Sequence, residues 1–276
     1  MSLFIFAAFL SLTSVAQASG DCHEVEGTIP YQYCIHKAPG STNEDVLYYL
    51  HGGGGNEHQW ENSASRVREE WKKNGHSIPV VITVSFGPVW FLVEKNSLAT
   101  SHLLDFFHHE VMPAVEQKAL GRPASRRLLA GASMGGFNSF QLLLNLPPTT
   151  FSKVALLCGA FINLSPWATD AEIVAHAKRL GVPVRDLRDF RDIVKAFVPD
   201  EATWFGHVSP IELARTRFRG SSAQILVAGN QGDAHFFEGS RLLAAAFAAG
   251  GARVEEKVWP GKHCAWNPAE LASFLR

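Results

Sequence analysis

The sequence has no C-x-x-C pair, no H-E-x-x-H run and no G-K-[ST] step. The first gap excludes a zinc ribbon or thioredoxin-type site, the second a zincin helix, the third a P-loop for nucleotide phosphates. An excess of one charge is missing too. The chain carries 25 Lys and Arg against 26 Asp and Glu, with no clustered basic stripe. It therefore lacks the electrostatic footprint that holds nucleic acid. No apolar run reaches the roughly 20 residues that a spanning helix needs, so no membrane partner is expected.

What is present begins with an apolar stretch over residues 3–15, followed by the small-residue site Ala16-Gln17-Ala18. This reads as a secretory signal peptide over residues 1–18, although no Lys or Arg precedes Leu3. A secreted or periplasmic protein is expected, with residues 19–276 forming one large domain. The four cysteines are Cys22, Cys34, Cys158 and Cys264, and an even number in an exported chain favours disulfides. Cys22 and Cys34 flank a turn near residues 27–30 and are expected to pair. Cys158 and Cys264 fit either a second bridge or two small buried apolar residues.

After an N-terminal β segment over residues 24–37, short apolar and β-branched runs recur at 46–50, 80–85, 127–130, 154–158, 225–228 and 254–258. Such runs suit strands buried on both faces of a parallel sheet. Between them lie helical patterns: Leu104, Phe107, Val111, Ala114 and Val115 form one stripe, and residues 242–249 another. The alternation predicts an α/β domain, a mostly parallel twisted sheet with helices on both faces. Residues 163–219 break the rhythm with helical patterns, prolines and aromatics, and read either as an inserted helical cap or as surface helices.

Three stretches carry chemistry. Gly131-Ala132-Ser133-Met134-Gly135-Gly136 stands between a strand and a helix-like run, the G-x-S-x-G context in which a tight turn lifts a serine hydroxyl to a helix N-terminus. A serine needs a base. His263 follows the last strand, and Asp233 follows the strand before it. The order Ser133, Asp233, His263, each on a loop after a strand, is that of the α/β-hydrolase fold. Among the twelve histidines, His235 and His207 are the rivals for the base, and Glu238 is the alternative acid. Finally, His51-Gly52-Gly53-Gly54-Gly55 follows a strand and suits an oxyanion hole, with Gly53 (or Gly52) and Met134 as the N–H donors. His51 is expected to brace this loop. His102, His108, His109 and Glu110 share one helix without metal-ligand spacing, so no metal is expected.

Together these stretches resemble the putative-esterase family of α/β-hydrolases, which takes in esterase D-like enzymes, bacterial feruloyl and acetyl esterases and the mycolyltransferases. The resemblance rests on residues 50–55 with Trp60 downstream, on residues 131–136, on Asp233 with Phe236 and Phe237, and on Gly261-Lys262-His263. It implies hydrolysis of a small-molecule carboxylic ester through an acyl-enzyme, with no cofactor. Acyltransferase or thioesterase activity on the same fold is the alternative, and a non-catalytic binding protein is the reading from another class. Trp167, Trp204 and Phe205 in the cap stretch, with Trp90 and Trp266 from core loops, are the candidates to bind an aromatic or bulky ester. The oligomeric state is open.

Overall fold

The computed structural model describes residues 20–61, 65–90, 100–218 and 221–276; the expected signal peptide and the last residue of the expected cap stretch lie outside them. The chain opens with a hairpin, β1 (Asp21–Val25) against β2 (Tyr31–His36). Cys22 faces Cys34 directly in the antiparallel register, and the two are joined by a disulfide.

The alternation then runs β3 (Asp45–Leu50), α1 (Ser65–Lys73), β4 (Val80–Ser85), α2 (Thr100–Phe106) continuing through a π-turn into α3 (Met112–Leu120), and β5 (Arg126–Ala132). It goes on with α4 (Met134–Asn145) and β6 (Lys153–Leu157). A helical excursion follows: α5 (Asp170–Leu180), α6 (Val184–Phe197), α7 (Glu201–Thr203) running into a π-turn at Trp204–Val208, and α8 (Pro210–Thr216). The end of the chain supplies β7 (Gln224–Asn230), α9 (Phe237–Ala249), β8 (Arg253–Trp259) and α10 (Pro268–Phe274).

The eight strands form one sheet in the order β1-β2-β4-β3-β5-β6-β7-β8, parallel from β4 to β8 and antiparallel at the β1–β2 end. This is the α/β-hydrolase fold. Every strand expected from an apolar run is present; β8 at the sheet edge is largely exposed, whereas β3 to β7 are buried on both faces. The two-residue period of β3 shows how. Val46, Tyr48 and Leu50 enter the core under α2–α4, α8 and α9, while Leu47 and Tyr49 enter the core under α1 and α10. The second core is keyed by Trp71, fully buried, whose indole N–H donates to the Ala272 carbonyl at 2.9 Å. Truncating such a ring to Ala costs about 3–5 kcal/mol, so α1 and α10 are firmly fixed to each other.

The excursion is held by its own small core of Ile162, Ile173, Ala177, Val182 and Leu187. Two polar clasps join it to the segment after β7: Arg179 to Glu238, and His235 to Asp186 at 2.8 Å. Helix α5 starts with a capping box between Thr169 and Glu172, which satisfies two backbone donors reciprocally.

Candidate active site

β5 ends at Ala132 and α4 begins at Met134, so the whole reversal falls on Ser133, whose φ is 56° and ψ −115°. Positive φ is costly for a residue with a Cβ, and the surroundings must over-determine it. They do. The Ser133 N–H donates to the Leu157 carbonyl at 2.9 Å, and the Ser133 carbonyl accepts from Phe137 and Ala160. The turn is also tight enough to require glycine on both sides. A Cβ on Gly131 would lie 2.1 Å from the Gly135 carbonyl oxygen, and one on Gly135 would lie 2.1 Å from that of Leu50.

The loops after β7 and β8 are stitched together above this turn. Gln231 N–H donates to Trp259, Gly232 N–H to Gly261, and the Asn230 amide to the Ala265 carbonyl at 2.7 Å. The stitching brings Asp233 and His263 into line with Ser133. Asp233 Oδ2 lies 2.6 Å from His263 Nδ1, and His263 Nε2 lies 2.9 Å from Ser133 Oγ. A carboxylate only accepts, so Nδ1 carries the proton and Nε2 is free to accept from the Ser133 hydroxyl. The Asp233 side chain is 3% exposed and that of His263 42%. The carboxylate is thus shielded behind the ring, while the ring itself faces solvent.

The rival residues are occupied elsewhere. Both Glu238 oxygens accept from Arg179, at 2.8 and 2.9 Å, and those bonds hold its carboxyl below the usual range. His235 is bound to Asp186, and His207 lies beside Arg217.

The glycine loop after β3 is set by His51. Its Nδ1 lies 2.8 Å from the Gly52 carbonyl oxygen, so Nδ1–H is the donor, and its Nε2 accepts from Ser85 Oγ at 2.8 Å. Burial pushes this imidazole below the usual histidine value, which favours the neutral tautomer that the two contacts require. Gly55 N–H donates to the same carbonyl, and the Gly52 N–H is taken by Gln59 Oε1 at 2.8 Å. The two ends of a peptide point in opposite directions. Fixing the Gly52 carbonyl therefore fixes the N–H of Gly53, and Gly53 lines the same cavity as Ser133. Met134 opens α4, where helical N–H groups have no intrahelical partner.

A cavity of about 540 Å³ lies over Ser133 and His263. Among the described residues its walls come from the glycine loop, from Ser65 and Arg66 of α1, and from Cys264, Trp266 and Pro268. Of the five aromatics expected to bind substrate, Trp266 alone lines it. The other four stand elsewhere among the described residues. Trp204 is 2% exposed and packs edge-on against Phe190, and Trp90 packs against Phe137 and Phe190. Trp167 is half-buried beneath Lys195, and Phe205 points outward at 41% exposure. For Trp204 and Trp90 the physical reason is that helices laid onto a sheet need large rings as anchors, and a ring used as an anchor is spent on packing.

Cys158 and Cys264 form a second disulfide, which joins the residue after β6 to the residue after His263. The bridge was one of two alternatives in the sequence; the structure selects it. Gln59, Ser85 and Arg66 also stand at the site, and nothing in their local pattern distinguishes them from ordinary surface or strand residues.

The sequence profile of the Putative esterase family matches residues 19–241. The chain belongs to this family. Solved structures with the same fold include an S-formylglutathione hydrolase from Agrobacterium tumefaciens, 15% identical with TM-score 0.62, the match covering 92% of this chain and 95% of that one. A ferulic acid esterase is 16% identical with TM-score 0.61, over 91% of this chain and 92% of the other. An ester hydrolase from the Lake Arreo metagenome is 18% identical with TM-score 0.63, over 92% and 78%. No curated protein sequence matches the chain. The family identifies an ester hydrolase acting on a small-molecule ester.

Proposed function

We propose that this esterase works through an acyl-enzyme on Ser133, with His263 as base and acid and Asp233 as its orienter. The observation that carries the reading is the unbroken line from Asp233 Oδ2 through both His263 nitrogens to Ser133 Oγ, at 2.6 and 2.9 Å. Ser133 Oγ attacks the ester carbonyl while His263 Nε2 takes its proton. The carbonyl oxygen becomes an oxyanion, held by the N–H groups of Gly53 and Met134. Collapse breaks the C–O bond, and the proton on His263 passes to the departing alkoxide to give the alcohol. Water then attacks the acyl-enzyme by the same route, releasing the acid and restoring the Ser133 hydroxyl. Asp233 keeps the imidazole in the working tautomer and stabilises the imidazolium formed in each half.

The substrate is a carboxylic ester whose acyl or alcohol part reaches Trp266, the aromatic in the cavity wall. Two disulfides suit an oxidising compartment, so the expected signal peptide and a secreted or periplasmic location remain part of the proposal. Among the described residues no helix is long and apolar enough to cross a membrane. The test is labelling with a fluorophosphonate probe alongside ester turnover. Wild-type protein should label on Ser133, and Ser133→Ala should lose both labelling and nearly all turnover while keeping its melting temperature. Full turnover by Ser133→Ala would end the proposal.

A further inference from the structure

Resting on the reading that Ser133 turns over esters, we infer that the preferred substrate carries a second, anionic group, and that Arg66 selects it. The cavity over Ser133 is bounded on one side by Ser65 and Arg66 and on the other by Trp266 and Pro268. Among the described residues lining it, Arg66 alone bears a permanent charge. Among the described residues no carboxylate lines the cavity, and the Asp233 side chain is buried behind His263.

Arg66 also has no ion-pair or hydrogen-bond partner among the described residues, unlike most arginines of the chain. Arg126 is paired with Asp45, Arg127 with Glu116, Arg179 with Glu238 and Arg241 with Glu256. The acids one turn along from Arg66 would ordinarily pair with it at i,i+3 or i,i+4. Instead Glu69 lies against Lys72 and Glu70 against Lys73. The helix beneath Arg66 is rigid, since Val67 and Trp71 are fully buried and Trp71 is bonded to α10. The backbone that carries the guanidinium is therefore held in place before substrate arrives.

The chemistry of the wall limits the anion. A guanidinium presents paired donors that match one carboxylate. No second Lys or Arg among the described lining residues joins it to balance a phosphate dianion. The inferred substrate is thus an ester with a free carboxylate away from the scissile bond, on the acyl side as in a half-ester of a dicarboxylic acid, or on the alcohol side as in an acylated hydroxy acid.

Two matched pairs distinguish these sources. 4-Acetoxybenzoate against its methyl ester carries the charge on the alcohol side, and 4-nitrophenyl hydrogen adipate against its methyl ester carries it on the acyl side. At low ionic strength, the anionic member of one pair should show kcat/KM about three- to tenfold higher than its neutral twin, as expected for a partly exposed charge pair. The difference should lie in KM and shrink in ~0.5 M NaCl. Arg66→Gln should bring the ratio to about one, and Arg66→Lys should retain part of it. Because the readout is a ratio within each variant, a general loss of activity does not imitate the result. If wild type hydrolyses the neutral esters and disfavours both anionic ones, the inference falls and the esterase reading stands. An unchanged ratio in Arg66→Gln overturns it equally. Turnover of none of the four esters would remove both.

Discussion

Cys264, the residue after His263, is bridged to Cys158, the residue after the Leu157 carbonyl that receives the Ser133 N–H. The loop carrying His263, the proposed base, is thus tied covalently to the segment that braces Ser133, the proposed nucleophile. The bridge spans a sequence separation of 106 residues, and removing a native disulfide costs about 2–5 kcal/mol, with long spans toward the upper end. A double Cys158→Ala, Cys264→Ala variant should melt at lower temperature. It should also lose about ten- to a hundredfold in kcat with little change in KM, since small misplacements of a reacting group are expensive. A lowered melting temperature with unchanged kcat would show that the bridge holds the fold and leaves His263 alone.

The choice of acid is decided by comparing Asp233→Asn with Glu238→Gln on one ester. Asp233 touches His263 Nδ1, whereas Glu238 is held by Arg179. Asp233→Asn should lower kcat by about three to four orders of magnitude with KM little changed, because the acid fixes tautomer and charge without binding substrate. Glu238→Gln should stay within about twofold in kcat, losing at most the modest stability of an exposed ion pair. A large loss at Glu238 with a small one at Asp233 would reverse the assignment.

The inner strands were legible because burial on both faces demands apolar and β-branched runs, as in β4, where every residue is buried. Ser133, Asp233 and His263 were legible because a parallel sheet gathers the loops after its strands at one edge, so chain order alone places them together. Other features depended on three-dimensional neighbours. The Cys158–Cys264 pairing requires the loop after β8 to reach past β7 to the end of β6. Composition does not separate an anchoring ring such as Trp204 from a ring that lines the cavity, such as Trp266. Arg66 entered the site only through the packing of α1 on α10.

His51 tests the proposed oxyanion loop. Its ring joins Ser85 to the Gly52 carbonyl and thereby aims the Gly53 N–H. His51→Ala should lower kcat about ten- to a hundredfold, somewhat less than outright loss of an oxyanion donor, and leave the buried Ser85 hydroxyl short of a partner. His51→Asn retains a side-chain N–H and should recover part of kcat if aiming the peptide is what matters. Equal loss in both variants, appearing in KM, would assign His51 to packing alone.

The acid limb of stability should be governed in part by Glu116, which is 1% exposed in the core under β3 and β5. Burial by itself would raise its carboxyl, but hydrogen bonds from Arg127, the Ala124 N–H and the Tyr48 hydroxyl outweigh burial and hold it below the usual value. A carboxyl that is more acidic in the folded state than in the unfolded chain binds fewer protons when folded. Its stabilisation is therefore fully present above the ordinary glutamate range and is lost as pH falls through the depressed folded value. Glu116→Gln should remove that dependence. At neutral pH the variant should be less stable by about 2–3 kcal/mol, because Arg127 loses its counter-charge. Below about pH 4 the penalty should narrow, because wild type is then losing the same ionised carboxylate. Urea unfolding midpoints measured for both proteins across this range give the answer. Parallel curves, with a constant gap at every pH, would show that the Glu116 contribution is packing and not ionisation.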